Sequence, residues 1–228
     1  MQCIILAAGR GTRMKELTEN TPKPMIKIID KPLLEHKIDM LPDCVDEVIL
    51  VIGYLGSQVE EHFGSEWKGR KISYAYQEEL NGTGGAVHQV KNLVKGKFLV
   101  TMGDDLYGKE DLTALAGEDM AVLAKMMPNP FSAGILHTDE QGNLLEIIEK
   151  TAIPEIGLMN TGAYALTQDF FEYELVPISD TEFGLPQTLA CMTKKYPVKV
   201  VSANLWLQVG KPEDIPNAEV FLRDYDNL

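Results

Sequence analysis

The segment Leu6-Ala7-Ala8-Gly9-Arg10-Gly11-Thr12-Arg13 sets two glycines and two arginines directly behind a short apolar run. Glycine lets backbone N–H groups approach a phosphate closely, because no Cβ intervenes. Arg13 adds a guanidinium that can grip phosphate oxygens in bidentate fashion. Pro22-Lys23-Pro24 then brackets a lysine with two prolines, which keeps its backbone extended and limits where the ammonium can point. Residues 10–31 carry six basic and three acidic side chains, a net +3 inside a chain whose formal net charge is −13. Such a basic island suits a polyanion such as a nucleoside triphosphate. Asp104, in Gly103-Asp104-Asp105 after another apolar run, offers a carboxylate that could hold Mg²⁺ between substrates. Taken alone, the glycine loop reads equally well as a tight turn, and the aspartate pair as a turn or a helix entry. A P-loop is excluded because no Gly-Lys-Ser/Thr closes the motif. A third glycine is missing where Arg13–Lys15 stands, which argues against a dinucleotide fold and a nicotinamide oxidoreductase.

These residues need a scaffold. Gln2–Ala7, Glu47–Ile52, Lys71–Gln77 and Lys97–Met102 read as strands, the first two as buried ones. Pro32–Leu41, Ser57–Phe63 and Gly84–Val94 carry helical apolar spacing between them. Strand–helix alternation of this kind predicts an α/β fold, Rossmann-like, with a mixed, mainly parallel sheet flanked by helices. Both loaded loops follow predicted strands, at the strand ends where such sheets bind ligands. In the second half Met120–Lys125, Ala133–His137, Leu144–Glu149, Leu158–Leu166 and Val198–Ser202 read as strands. Helices are expected over Gln168–Leu175, Leu185–Lys195 and Pro212–Tyr225, the last with Pro216 in its first turns. The adjacent Met126-Met127 pair reads as core filling. No linker or repeat divides residues 1–228, so one domain is expected, with a nucleotide-binding half (1–105) and a more elaborated half (106–228).

Taken in order, the motifs resemble the signature of the sugar-1-phosphate nucleotidylyltransferases, the nucleotide-sugar pyrophosphorylases. The resemblance continues through Gln77 with Asn81-Gly82-Thr83-Gly84-Gly85-Ala86, Gly103-Asp104, Glu149-Lys150, Asn160-Thr161-Gly162 and Trp206-Leu207-Gln208-Val209-Gly210-Lys211-Pro212-Glu213-Asp214. It implies transfer of a nucleotidyl group from an NTP to a sugar 1-phosphate, with pyrophosphate leaving and Mg²⁺ as cofactor. UTP or dTTP is the triphosphate that the shorter members suggest. By the same resemblance Leu6, Ala8, Gly9, Gly11, Thr12, Gln77, Gly82 and Thr83 bind the nucleotide. Arg13, Lys23 and Asp104 are the catalytic set. Glu149, Lys150, Asn160 and Gly162 hold the sugar phosphate. Asp104 is the metal ligand, and Asp105 the lesser candidate, because the family places its carboxylate directly after the glycine. Gln208 stands where most members carry a second metal-binding aspartate, and Lys211 where threonine is common. An amide removes one negative charge, so weaker metal binding is expected.

Composition narrows the class further. The chain has 228 residues, 45% hydrophobic and 24% charged, which is ordinary globular composition. Its acidic balance argues against nucleic acid or an anionic membrane as partner, and no apolar run reaches transmembrane length. Three cysteines without metal-ligand spacing and no signal-peptide pattern fit a cytoplasmic protein. Its four histidines are scattered and are given no role. Two alternatives stay open: a cytidylyltransferase for a non-sugar phosphate such as phosphocholine, and a non-catalytic regulatory protein that binds a nucleotide sugar. The sequence carries no signal for oligomeric state.

Overall fold

The structure, a computed structural model, describes residues 1–128, 134–148 and 156–225. It begins with β1 (Gln2–Ala7), an apolar run buried on both faces as a central parallel strand requires. A short hairpin of β2 (Lys27–Ile28) and β3 (Lys31–Pro32) leads into α1 (Leu33–Asp39). There follow β4 (Glu47–Ile52), α2 (Gly56–Phe63), the brief β5 (Glu66–Trp67), β6 (Arg70–Tyr76), α3 (Gly82–Gln89) and β7 (Phe98–Met102). Strands β6, β4, β1 and β7 lie side by side in that order, all parallel. Next come β8 (Asp105–Tyr107) and α4 (Lys109–Gly117), neither of which has a clear signature in the sequence.

The second half makes the sheet mixed. It supplies β9 (Ala121–Pro128), β10 (Ile135–Thr138), β11 (Leu144–Ile148) and the long β12 (Ile156–Leu166). Strand β12 runs antiparallel to β9 on one side and to β7 and β10 on the other. Then follow the hairpin of β13 (Val176–Pro177) and β14 (Phe183–Gly184), α5 (Leu185–Met192), β15 (Lys199–Ser202), β16 (Trp206–Gln208) and α6 (Ile215–Tyr225). Strand β15 extends the sheet beside β9, while β16 pairs with β8 away from it.

Period-two alternation decides which helices cover which face. Ile4, Val51 and Val100 point to one side and meet Val87 of α3 and Leu189 of α5. Ile5, Leu50 and Leu99 point to the other and meet Leu34 of α1, Val59 of α2 and Leu112 of α4. Each such side chain stabilises the fold by roughly 1.5–3 kcal/mol through burial alone. A third cluster, including Met14, Ile28, Leu33, Leu106, Val209 and Leu222, packs the glycine-loop region against the chain's last helix.

Several expectations are corrected. The helix expected over Gln168–Leu175 is a 3₁₀ turn, Gln168–Glu172. That expected over Pro212–Tyr225 divides into a 3₁₀ turn, Pro212–Asp214, and α6, whose second residue is Pro216. Proline is tolerated there because the first-turn N–H groups have no helical acceptor in any case. Met126 is not core: on β9 it is 59% exposed, because the strand's second half runs out beyond the covering helices. All three cysteines are free; burial pushes the Cys3 thiol up to about 12, and Cys44 and Cys191 are exposed. Among the described residues no helix is long and apolar enough to cross a membrane.

The ends of β1 and β7 converge where the two loaded loops begin. Gly103 N–H donates to Leu6 O at 2.8 Å, and a Cβ on Gly103 would lie 2.5 Å from that same oxygen. Gly103→Ala should therefore destabilise the protein by about 1–3 kcal/mol, read from urea unfolding. An unchanged midpoint would mean that the two strand ends can part without cost.

Candidate active site

The site lies beyond the carboxyl ends of β1 and β7. After β1 the chain leaves the sheet at Ala8 and turns at Gly11, whose φ is +64°. Only a residue without Cβ fits there comfortably, since a Cβ would stand 3.0 Å from Lys23 Cβ. The glycine loop and the Pro-Lys-Pro segment are therefore packed against each other, which explains why the two motifs belong together. Pro22 precedes and Pro24 sits within a short 3₁₀ turn, Lys23–Met25, so the Lys23 backbone is helical rather than extended as expected, and Lys23 itself is 7% exposed.

Across the cradle stands the turn that follows β7. Lys23 Nζ donates to Asp104 Oδ2 at 2.6 Å, so the two groups singled out for phosphate and metal hold one another. Leu6, Gly9, Gly11, Thr12 and Arg13 line the same cavity of about 240 Å³, together with Gly210. A contiguous hollow of about 290 Å³ is lined by Leu6, Ala8, Gln77, Gly82, Thr83 and Glu182. Gln77 is buried, and its amide donates to Asn81 Oδ1 at 2.9 Å and Gly82 O at 3.3 Å, which fixes the entry of α3. The β13–β14 hairpin closes over that entry: Phe183 N–H donates to Asn81 O at 2.9 Å and Leu185 N–H to Thr83 Oγ1 at 3.1 Å.

A third hollow, of about 170 Å³, meets Thr83, Asn160, Gly162, Trp206 and Gln208. Asn160 is only 7% exposed and its amide is engaged: Nδ2 donates to Tyr164 Oη at 2.8 Å, and Oδ1 accepts from Gly162 N–H at 2.9 Å. It shapes the irregularity in β12, where pairing with β9 shifts between Asn160 and Ala163. Gln208 sits opposite Asp105 in the β8–β16 ladder, and the next residue, Val209, donates its N–H to Asp104 O at 2.9 Å. Residue 208 thus belongs to the strand that braces the Asp104 turn. Glu149 and Lys150 lie outside the described residues.

Asp105 does not face the phosphate cradle. It is 2% exposed, and its Oδ2 accepts from Trp206 Nε1 at 3.3 Å. Burial pushes its carboxyl up, to about 8, and the adjacent Asp104 charge adds to the effect. Behind it, Lys37 of α1 is 4% exposed and is driven down to about 8 by the same cause. The sequence reading missed Lys37 and Glu182 as site neighbours, and quoted Trp206 and Gly210 only within the closing motif without a role. Lys37 had a legible signal, a charge on the apolar stripe formed by Leu33, Leu34, Ile38 and Leu41.

The arrangement is a basic, glycine-lined cradle, a carboxylate turn facing it, and two adjoining hollows. The family model described as nucleotidyl transferase matches residues 2–225. The chain is similar to the bifunctional protein GlmU of Methanocaldococcus jannaschii, 36% identical over 100% of this chain and 55% of that protein. It therefore spans about half the length of that relative. The UTP–glucose-1-phosphate uridylyltransferase AglF of Haloferax volcanii is 29% identical, over 98% of this chain and 97% of its own. Among solved structures, a UDP-glucose pyrophosphorylase complexed with UDP-glucose superposes with a TM-score of 0.83 at 21% identity, covering 98% of both chains. HddC from Yersinia pseudotuberculosis gives 0.72 at 24%, covering 97% of this chain and 99% of that one. At those identities the two structures speak for the fold, and the family match speaks for descent. The chain belongs to the nucleotidyl transferase family.

Proposed function

We propose that the chain transfers a nucleotidyl group from a nucleoside triphosphate to a sugar 1-phosphate, releasing pyrophosphate. The observation that carries this is the pairing of Lys23 with Asp104 across the glycine cradle. One cation is poised for a phosphate and one carboxylate for a cation, with room for two anionic substrates beside them. UTP or dTTP is the triphosphate we favour; the uridylyltransferase among the relatives supports that choice.

A sugar-phosphate oxygen attacks the α-phosphorus, a new P–O bond forms, and the bond to the β-phosphate oxygen breaks. Little covalent chemistry is asked of the protein, so its task is positioning and charge neutralisation. The Gly9–Thr12 main chain cradles the triphosphate, and Arg13 grips the departing pyrophosphate. Lys23 leaves Asp104 for an α-phosphate oxygen and follows the charge that builds there during displacement. Gln77 and the Gly82-Thr83 entry of α3 border the base. Glu149 and Lys150 are assigned to the sugar phosphate from the sequence motif, with Asn160 shaping the wall that Gly162 lines.

The donor set fits Mg²⁺. Asp104 offers a hard carboxylate oxygen at the edge of the cradle, its side chain 27% exposed, and Gln208, which lines the adjoining hollows rather than the cradle, would add an amide oxygen. Mg²⁺ commonly needs only one or two protein carboxylates when substrate phosphates complete its shell. When bound, it would neutralise phosphate charge and fix the triphosphate's geometry.

The test is pyrophosphate release across a grid of nucleoside triphosphates and sugar 1-phosphates, with phosphocholine included. A sugar-dependent signal is expected; a phosphocholine signal alone, or none, contradicts the proposal. Lys23→Ala should lower turnover about 10²–10³-fold in a folded protein, as loss of a charge-stabilising donor does elsewhere. Unchanged turnover would remove Lys23 from the reaction. Gln208→Asp should reduce the Mg²⁺ needed for half-maximal rate, and an unaltered Mg²⁺ titration would show that residue 208 does not contact the ion.

A further inference from the structure

Strand β16 brings Trp206 and Gln208 to the hollow that the proposed function gives to the sugar, yet it lies off the main sheet and is paired with β8 alone among the described residues. A ribbon of two strands, three residues each, is too short to hold its own place. The chain that feeds it leaves the sheet at Ala203, whose N–H donates to Ala124 O at 2.7 Å. In the gap between that point and β16 one side chain takes over the backbone. It is Asp111 of α4, 4% exposed and without a part in the reaction above. Its Oδ2 accepts from Asn204 N–H and from Leu205 N–H, both at 2.8 Å, and its Oδ1 accepts from Asn204 Nδ2 at 2.9 Å. Gly108 N–H adds a bond to Leu205 O at 2.9 Å. A Cβ on Gly108 would stand 3.1 Å from both Asp111 Oδ2 and Leu205 Cβ, so the bare backbone there lets the turn close on the carboxylate. Lys125 Nζ holds the outer side of the same turn, donating to Asn204 O at 2.6 Å.

We propose that Asp111 is a positioning residue for the acceptor substrate: it fixes the start of β16 and so sets where Trp206 and Gln208 stand in the sugar hollow. The far end of the ribbon is secured separately, by Val209 N–H on Asp104 O at 2.9 Å. The Trp206 ring has only a long bond from Nε1 to Asp105 Oδ2, 3.3 Å, which is too weak to place it. Its position therefore comes from the backbone, and Leu205, held by Asp111, is the residue directly before it. The triphosphate cradle takes Gly9, Gly11 and Lys23 from loops that Asp111 does not touch. A change at residue 111 thus weighs on the sugar 1-phosphate and leaves the triphosphate largely alone. Asp111 itself meets no substrate. The inference rests on the reading of that hollow as the sugar's.

The experiment uses the chain's two tryptophans, Trp67 and Trp206. Trp67 Nε1 is buried without a hydrogen-bond partner among the described residues, so Trp67→Phe removes it at little cost and leaves Trp206 as the sole emitter. In that background Asp111→Asn keeps an oxygen for the two main-chain N–H groups but turns an NH₂ toward Asn204 Nδ2, donor against donor. Trp206 emission should shift. With UTP and, as probes, the 1-phosphates of glucose, galactose and N-acetylglucosamine, the sugar 1-phosphate KM should rise about 10-fold or more while the UTP KM holds. The exchange variant Asp111→Asn/Asn204→Asp restores one donor and one acceptor with the roles reversed, and should return both readouts toward wild type. It also serves if Asp111→Asn does not fold: a folded exchange variant with wild-type emission and KM supports the proposal. Lower urea stability with emission and both KM values unchanged would make Asp111 merely structural and overturn it. So would an exchange variant no better than Asp111→Asn. Should no probe support turnover in the wild-type protein, the sugar reading fails and the role in acceptor binding falls with it. That result is distinct from wild-type turnover that Asp111→Asn leaves untouched.

Discussion

The Lys23–Asp104 contact, 2.6 Å long and with Lys23 nearly buried, is the interaction around which the rest of the molecule is arranged. It joins two loops that leave adjacent parallel strands, β1 and β7, so the register of those strands sets the span between cation and carboxylate. Close approach at both ends is enforced by residues without side chains: Gly11 lets Lys23 pack against its loop, and Gly103 lets the second turn lie on Leu6. An ion pair in so sheltered a place gains from low dielectric and suffers from lost hydration in similar measure. Its net contribution to stability is therefore small. On the proposed function, each partner holds the other's position until a phosphate and a cation take them over.

Much of that arrangement could be read in the residues. Strands β1 and β4 are nearly continuous apolar runs rich in Ile, Leu and Val, because a parallel strand buried on both faces permits little else. Ile4 and Ile5 already imply two covered faces, and the structure supplies helices for both. The cradle was legible because glycine, proline and a concentrated positive charge in an acidic chain have few purely structural explanations. Its pairing with Asp104 was not, since the residues are far apart in sequence and meet only through the β1–β7 register.

The second half resisted reading for physical reasons. Antiparallel strands with one partly exposed face carry mixed patterns, and β9 runs from a buried start to the exposed Met126. Asn160-Thr161-Gly162 falls inside the expected strand Leu158–Leu166, but nothing in the sequence shows that it is an irregularity of β12, held by Asn160 on Tyr164 and on Gly162. Strands β8 and β16, each only three residues long, are too short for periodicity to show. They nevertheless bring Gln208 opposite Asp105 and brace the carboxylate turn. Lys37 was the visible anomaly, a lysine on an apolar stripe, and the structure shows its ammonium donating to the main-chain oxygen of Asp105.

Calorimetric titration of Mg²⁺ into the protein, with and without a non-hydrolysable UTP analogue, addresses the central pair most directly. If Lys23 and Asp104 must release each other to receive phosphate and metal, Mg²⁺ binds the free protein poorly and binds markedly tighter once the triphosphate has drawn Lys23 away. By linkage the analogue gains the same factor from Mg²⁺. Equal Mg²⁺ affinity in the two titrations would mean that the Lys23–Asp104 contact does not control the site.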